Sequence, residues 1–112
     1  MAADNVKGGI LMAKMTEDAA SRMLAPVPEP NVFWCRDGNI FRDMNDLKTG
    51  LGRMSDETFF YHVTPEKNDF SAWVRSSVGD VKLANDLDKA GNRLLSLKRV
   101  EARLVFLRDR LT

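Results

Sequence analysis

The stretch Met54–Leu87, MSDETFFYHVTPEKNDFSAWVRSSVGDVKLANDL, decides the fold of this 112-residue chain. It holds five of the nine aromatic residues and the single histidine. Ser55, Asn68 and Asp80 each stand before apolar residues at helical spacing, and all three residue types are preferred N-caps. The stretch therefore predicts three short helices in succession, which need a shared core because isolated short helices are marginal in water.

The preceding residues add a hairpin and a fourth helix. Residues 31–42 carry VFWCR and NIFR on either side of Asp37-Gly38, which predicts two short strands joined by a type I′ turn. Asp43 is a further N-cap, because Met44, Leu47, Leu51 and Met54 follow at spacings of three, four and three. A lone hairpin is not stable in water, so this one is expected to lie against the helices.

The N-terminal residues 1–30 predict a flexible arm that ends in a Pro-rich linker. Their apolar side chains make only a thin helical face, and Pro26, Pro28 and Pro30 favour extended backbone. Residues 31–112 are then one helical domain. The predicted fold class is mainly α, with one short β-hairpin and this flexible arm.

The C-terminal helix, predicted at residues 89–112, carries a leucine seam. Leu83, Leu87, Ala90, Leu94 and Leu97 follow at heptad-like spacing, and the assembly seam continues as Leu97, Val100, Leu104, Leu107 and Leu111. Gly91-Asn92 leaves open whether residues 81–111 form one helix or two.

The charge of the chain is unevenly distributed. Residues 28–88 hold seven basic and eleven acidic side chains, a net charge of −4, whereas residues 89–112 hold seven basic and two acidic, a net charge of +5. The predicted partner or nucleic-acid face consists of Arg93, Lys98, Arg99, Arg103, Arg108 and Arg110. Three interpretations stay open: a solvated helix face, self-association through the seam, and binding of nucleic acid or an acidic partner. No aromatic residue is expected on the polar face, and Glu101 and Asp109 interrupt the positive charge, which counts against nucleic acid.

Composition narrows the class of protein further. One cysteine, Cys35, excludes an intrachain disulfide. No apolar run reaches the roughly 18 residues that span a bilayer, and the N-terminal apolar patch is too short for a signal peptide. We therefore expect a soluble, cytoplasmic protein without a membrane partner.

His62 is the one residue that suggests chemistry. An imidazole near Glu66 and Asp69 could serve as an acid, a base or a metal ligand. The simpler interpretation is a structural histidine that hydrogen-bonds a carboxylate or a backbone group, because no second histidine and no spaced cysteine supports a metal site. Cys35 in a strand is likewise expected to be a small core residue. No catalytic residue, metal or cofactor is predicted.

Several motifs together resemble an uncharacterised family of small prokaryotic domains. They are the Asp-Gly hairpin, Phe-x-Tyr-His-Val at residues 59–63, Asn-Asp-Phe-x-x-Trp at 68–73 and Gly-Asp-x-x-Leu-Ala at 79–84, and the resemblance covers about residues 32–88. It leaves the N-terminal arm and the C-terminal helix outside. The family has no assigned activity and occurs beside varied domains, which implies an accessory or binding role.

If these motifs are the family's signature, their polar members either face one pocket or lock the core. The candidate binding residues are Tyr61, His62, Asn68, Asp69 and Trp73. The expected function is a non-catalytic protein-binding or assembly module, for example a homodimer formed through the seam and the basic helix face. The alternatives are a nucleic-acid-binding accessory protein and an enzyme or metal site centred on His62.

Overall fold

Residues 15–111 are described by the computed structural model, and they are mainly helical, as predicted. The elements are α1 Glu17–Leu24, a 3₁₀ turn Glu29–Asn31, β1 Phe33–Trp34, β2 Ile40–Phe41, α2 Met44–Arg53, α3 Asp56–His62, β3 Val63–Thr64, β4 Lys67–Asn68, α4 Asp69–Trp73, a π-helical turn Val74–Val78, α5 Val81–Ala90 and α6 Arg93–Asp109. Within this part of the chain, no helix is both long enough and apolar enough to cross a bilayer.

The four predicted N-caps are confirmed. The side chains of Asp43, Ser55, Asn68 and Asp80 each accept a hydrogen bond from the backbone N–H three residues further on, at 2.8–3.1 Å. Each bond satisfies one of the N–H groups that the first turn of a helix leaves without a partner. Four helices therefore begin where local side-chain chemistry places them.

The segment before the hairpin is more ordered than a free arm. The predicted arm covers residues 1–30, of which 1–14 lie outside the described residues. Glu17–Leu24 form α1, with Thr16 as N-cap, and Ala20 is fully buried where α1 packs against α6. The N–H of Val27 donates to the carbonyl of Arg42 at 2.8 Å. This bond joins the linker to the residue that follows β2.

The hairpin forms with one difference from the prediction. Phe33 pairs with Phe41 and Trp34 with Ile40. The carbonyl of Cys35 accepts from the N–H of Gly38, so Arg36 and Asp37 are the central turn residues and Gly38 follows them at φ 96°. The turn is therefore centred one residue earlier than the expected Asp37-Gly38 type I′ turn.

A second pair of strands was not predicted as such. At residues 63–68, β3 and β4 pair antiparallel, with Val63 opposite Asn68 and Thr64 opposite Lys67. This small ladder lies between α3 and α4. It brings the end of α3 back to the beginning of α4.

The core forms around α6, which contacts α1, α2 and α5. Gly91 takes φ 79° and ends α5, and Asn92 caps α6, so residues 81–109 are two helices. Because of this break, the residues of α5 and α6 do not follow the single helical repeat that was assumed from the spacing of the leucines. Leu94, expected in the seam, is consequently 59% exposed.

A glycine weakens a helix, but the packing of α2 requires one at position 50. A Cβ atom at Gly50 would overlap the ring of Phe41, which is buried in the core. Gly52 lies in the same helix but has room, because its Cβ would meet only Leu97 Cδ2 at 3.8 Å. One glycine is thus required by packing and the other is not.

Gly50→Ala and Gly52→Ala should therefore change stability in opposite directions. The first must displace a buried ring, an overpacking cost of about 1–3 kcal/mol. The second should gain up to about 1 kcal/mol in helix propensity. Urea unfolding of both variants measures the difference. Equal effects of the two substitutions would contradict the packing of Phe41 on α2.

Candidate functional site

His62 lies at the junction of the hairpin and α4, and it is 5% exposed. Its Nε2 accepts the backbone N–H of Arg36 at 3.0 Å, and its Nδ1 lies 3.0 Å from Asp69 Oδ2. An Nε2 atom that accepts a hydrogen bond carries no proton, so the ring is neutral with its proton on Nδ1, which donates to Asp69. Both ring nitrogens are thereby used in holding the fold together.

Aromatic rings surround this imidazole. The centroids of Phe33, Tyr61 and Phe70 lie 5.0–5.1 Å from its own, and Phe33 also packs on Trp73 at 5.9 Å. The two hydrogen bonds of His62 therefore lie between a mainly apolar core and the surface. A buried polar group without partners would be costly at this place.

Asp69 extends the network to the surface, because its Oδ2 also accepts from Lys67 Nζ at 2.9 Å. Burial acts to raise the pKa of this carboxyl, but the hydrogen bonds from Lys67 and His62 outweigh it and hold the pKa below the ordinary value. Asp69 is therefore a carboxylate at neutral pH, as the donor on His62 requires.

Asn68 and Trp73, two of the candidate binding residues, have structural partners. Asn68 caps α4 and donates from Nδ2 to the carbonyl of Leu87 at 3.3 Å. The buried Trp73 donates from Nε1 to the carbonyl of Asn31 at 2.7 Å. These contacts attach α4 to α5 and to the segment before β1, so neither side chain faces a pocket as a free group.

Tyr61 differs from the other candidates because its ring is 50% exposed. The guanidinium of Arg36 lies 4.5 Å from its centroid and Lys67 Nζ lies 5.6 Å away, both within the range of cation–π interaction. Asp37, Glu57 and Thr58 complete a small pocket of about 310 Å³ with Arg36 and Tyr61.

Trp34 lies two residues from Arg36 along the chain, a span of at most about 7 Å, and it is 70% exposed. We call Trp34, Arg36, Tyr61 and Lys67 the hairpin surface. The sequence prediction included only Tyr61 among these four. The missed signal is the alternation along β1 and the residue after it, because Phe33 and Cys35 are buried and Trp34 between them is exposed.

A groove of about 760 Å³ lies on the other side of Lys67, between the β3–β4 turn and the end of α5. Half-exposed Phe60 forms part of its wall. Ser71 Oγ donates to Asp88 Oδ1, and Arg75 Nη2 donates to Asp88 Oδ2 at 2.8 Å. Burial raises and these bonds lower the pKa of Asp88, with a net lowering. Ser71, Arg75 and Asp88 of this groove are therefore paired with one another.

The cationic side chains of α6 are partly used within the chain. Arg103 makes a bidentate ion pair with the fully buried Asp80, from Nε to Oδ2 at 2.7 Å and from Nη2 to Oδ1 at 3.0 Å. Arg93 bonds to Asp56 Oδ1 and the carbonyl of Leu51, and Arg108 bonds to Asn45 Oδ1. These three arginines attach α6 to α2, to α3 and to the N-cap of α5 rather than leaving a uniformly basic face.

The remaining cations of the predicted partner face are exposed. Among residues 15–111, Lys98, Arg99 and Arg110 form no ion pair. The ring of Phe106 lies 4.2 Å from the guanidinium of Arg110 and 4.9 Å from that of Arg103. Phe106, which also packs against the core, is therefore in contact with two of the cations of this helix.

Most of the predicted assembly seam lies in the core of the chain and not on its surface. Val100, Leu104 and Leu107 are buried within one chain, against α1, α2 and α5, and Leu97 is partly buried. Only Leu111, at the end of the helix, is exposed. The spacing identified the apolar face correctly, but the domain itself covers that face.

Neither a reactive cysteine nor a cluster of metal ligands is found among the described residues. Burial raises the pKa of the Cys35 thiol, which disfavours the reactive thiolate. Within the described residues, no three His, Cys, Asp or Glu side chains are grouped so as to hold a metal ion. The arrangement around His62 connects elements and positions surface side chains.

A family model matches residues 30–107, from the start of the hairpin segment to Leu107. The chain belongs to the family of unknown function DUF5752. The resemblance read from the motifs at residues 32–88 is thereby confirmed, and the match extends through most of α6. Placing the C-terminal helix outside the family region was wrong, and the burial of its seam explains why it belongs to the DUF5752 domain. No curated protein and no solved structure matches the chain.

Arg103→Met should destabilise the DUF5752 domain far more than Arg99→Met. The first change leaves the buried Asp80 without its cation, a loss of about 3–5 kcal/mol. The second removes an exposed side chain one turn away, with an expected effect within about 0.5 kcal/mol. Urea unfolding compares them, and similar midpoints would show that the Asp80–Arg103 pair does not hold α5 to α6.

Proposed function

We propose that the chain is a non-catalytic protein-binding module and that the hairpin surface is its contact face. The observation that carries the proposal is the exposure of Trp34, two residues before the Arg36 that stacks on Tyr61. Tryptophan, tyrosine and arginine are the residue types that dominate binding energy at protein interfaces. Covering the exposed 70% of an aromatic side chain of roughly 200 Å² at about 25 cal/mol/Å² contributes on the order of 3.5 kcal/mol.

The charge of the hairpin surface indicates the chemistry of the partner. Arg36 stacks on Tyr61 and forms no ion pair with the described residues, whereas Lys67 is paired with Asp69. A carboxylate brought by a partner would therefore find a guanidinium already held by an aromatic ring. The partner we propose is a protein segment with an acidic side chain next to an apolar one, which would cover Trp34.

Two other functions have less support. Catalysis by His62 would need a ring nitrogen that is free to exchange a proton with a substrate, and both nitrogens have structural partners. Self-association through the leucine seam would require the core to open, because its central residues are buried in the single chain. The hairpin surface needs no such rearrangement.

A selection of displayed random peptides on the folded protein tests the proposal. Selected sequences should combine Asp or Glu with a neighbouring aliphatic or aromatic residue. Trp34→Ala and Arg36→Met should each weaken their binding at least about tenfold, since hot-spot truncations cost more than 1 kcal/mol.

The matched control is Val81→Ala, because Val81 is also exposed but lies on α5, away from the hairpin. It should leave the affinity unchanged. Peptides that bind the Trp34→Ala variant as well as the parent chain would contradict the proposal, as would a selection with no Trp34-dependent sequence. A concentration-dependent dimer that Trp34→Ala dissociates would identify a second copy as the partner.

A further inference from the structure

The turn that carries Arg36 depends on one unprotonated nitrogen. The N–H of Arg36 donates to His62 Nε2 at 3.0 Å, across 26 residues of sequence. The other hydrogen bonds of this turn are local, from Gly38 to Cys35, from Cys35 to Asn39 and from Asn39 to Asp37 Oδ1. The bond to His62 therefore joins the turn to α3 in a way that its own backbone bonds do not.

We infer that protonation of His62 releases this turn and so makes the hairpin surface pH-dependent. A doubly protonated imidazole has only donors, so its Nε2–H would face the N–H of Arg36 instead of accepting from it. The bond is then lost and two donors oppose each other. Among side chains, imidazole is the one that most often serves as a sensor of pH.

The charged groups around the ring decide whether the effect is local. Asp69, at the beginning of α4, faces Nδ1, and its negative charge favours the protonated imidazole. Lys67 of β4 bonds to the same carboxylate, and its positive charge opposes that protonation. Arg36 and Asp37 of the turn, and Glu57 and Tyr61 of α3, line the adjoining pocket. Cys35, the residue before Arg36, is also buried, and its thiol stays neutral while the ring titrates because burial raises its pKa.

Asp69 remains bonded when the ring takes its second proton. Its pKa lies below the ordinary value, so it is still a carboxylate at pH 5 and still accepts from Nδ1. The connection between α3 and α4 is therefore kept, and the connection to the turn is the one that breaks. Phe33 and Phe41 stay in the core and hold the strands, so the release is confined to the turn with Arg36.

The consequence for binding rests on the proposed function. The guanidinium of Arg36 reaches Tyr61 from a backbone that His62 positions. A released turn no longer holds Arg36 over that ring, whereas Trp34 stays in β1. We expect a Trp34-dependent peptide to bind more weakly at pH 5 than at pH 8.

The inference is tested on the full chain alone, by NMR of the backbone amides between pH 8 and pH 5. Hydrogen-exchange protection of the Arg36 amide, corrected for the intrinsic pH dependence, should fall about tenfold as the His62 ring titrates. The amide of Val27, which bonds to Arg42 and not to His62, should keep its protection. In His62→Gln, whose side-chain oxygen can accept at the position of Nε2 and does not titrate, Arg36 should show no such fall.

Three results would overturn the inference: an Arg36 amide that keeps its protection while the ring titrates, a ring that stays neutral down to pH 5, or a parallel loss at Val27, which means general unfolding. The parent chain alone decides between these outcomes if His62→Gln does not fold. Peptide binding distinguishes this inference from the proposed function. A pH-dependent Arg36 amide without any Trp34-dependent peptide would keep the first and remove the second.

Discussion

Two hydrogen bonds to one buried imidazole connect three parts of this domain. His62 ends α3, accepts from the hairpin turn at Arg36 and donates to Asp69 at the beginning of α4. Because the ring is enclosed by aromatic side chains, neither nitrogen can exchange its partner for water without cost. The positions of Arg36 and, through Asp69, of Lys67 follow from this constraint, and these two cations flank the exposed ring of Tyr61.

The second constraint is the burial of α6. Its apolar face completes the core against α1, α2 and α5, and its Arg103 neutralises the buried Asp80 at the start of α5. This basic helix is thus part of the domain core, in agreement with a family match that reaches residue 107. The exposed cations that remain belong to its outer surface.

Sequence predicted the features that depend on neighbours along the chain. Asp43 and the other caps were identified because an N-cap bonds to an amide three residues away along the chain. The exposure of Trp34 depends instead on which side of the hairpin meets the helices. The partners of Arg93, Arg103 and Arg108 lie 23 to 63 residues away, so their pairing could not be predicted from spacing.

The central claim is that His62 is a neutral imidazole whose Nε2 is an acceptor. Long-range nitrogen–proton NMR correlations of the ring at pH 7.5 test it directly, and the spectrum is unambiguous because the chain has one histidine. The account predicts the tautomer with its proton on Nδ1. A proton on Nε2 would mean that Arg36 does not donate to this ring, and the connection between the hairpin and α3 would then be lost.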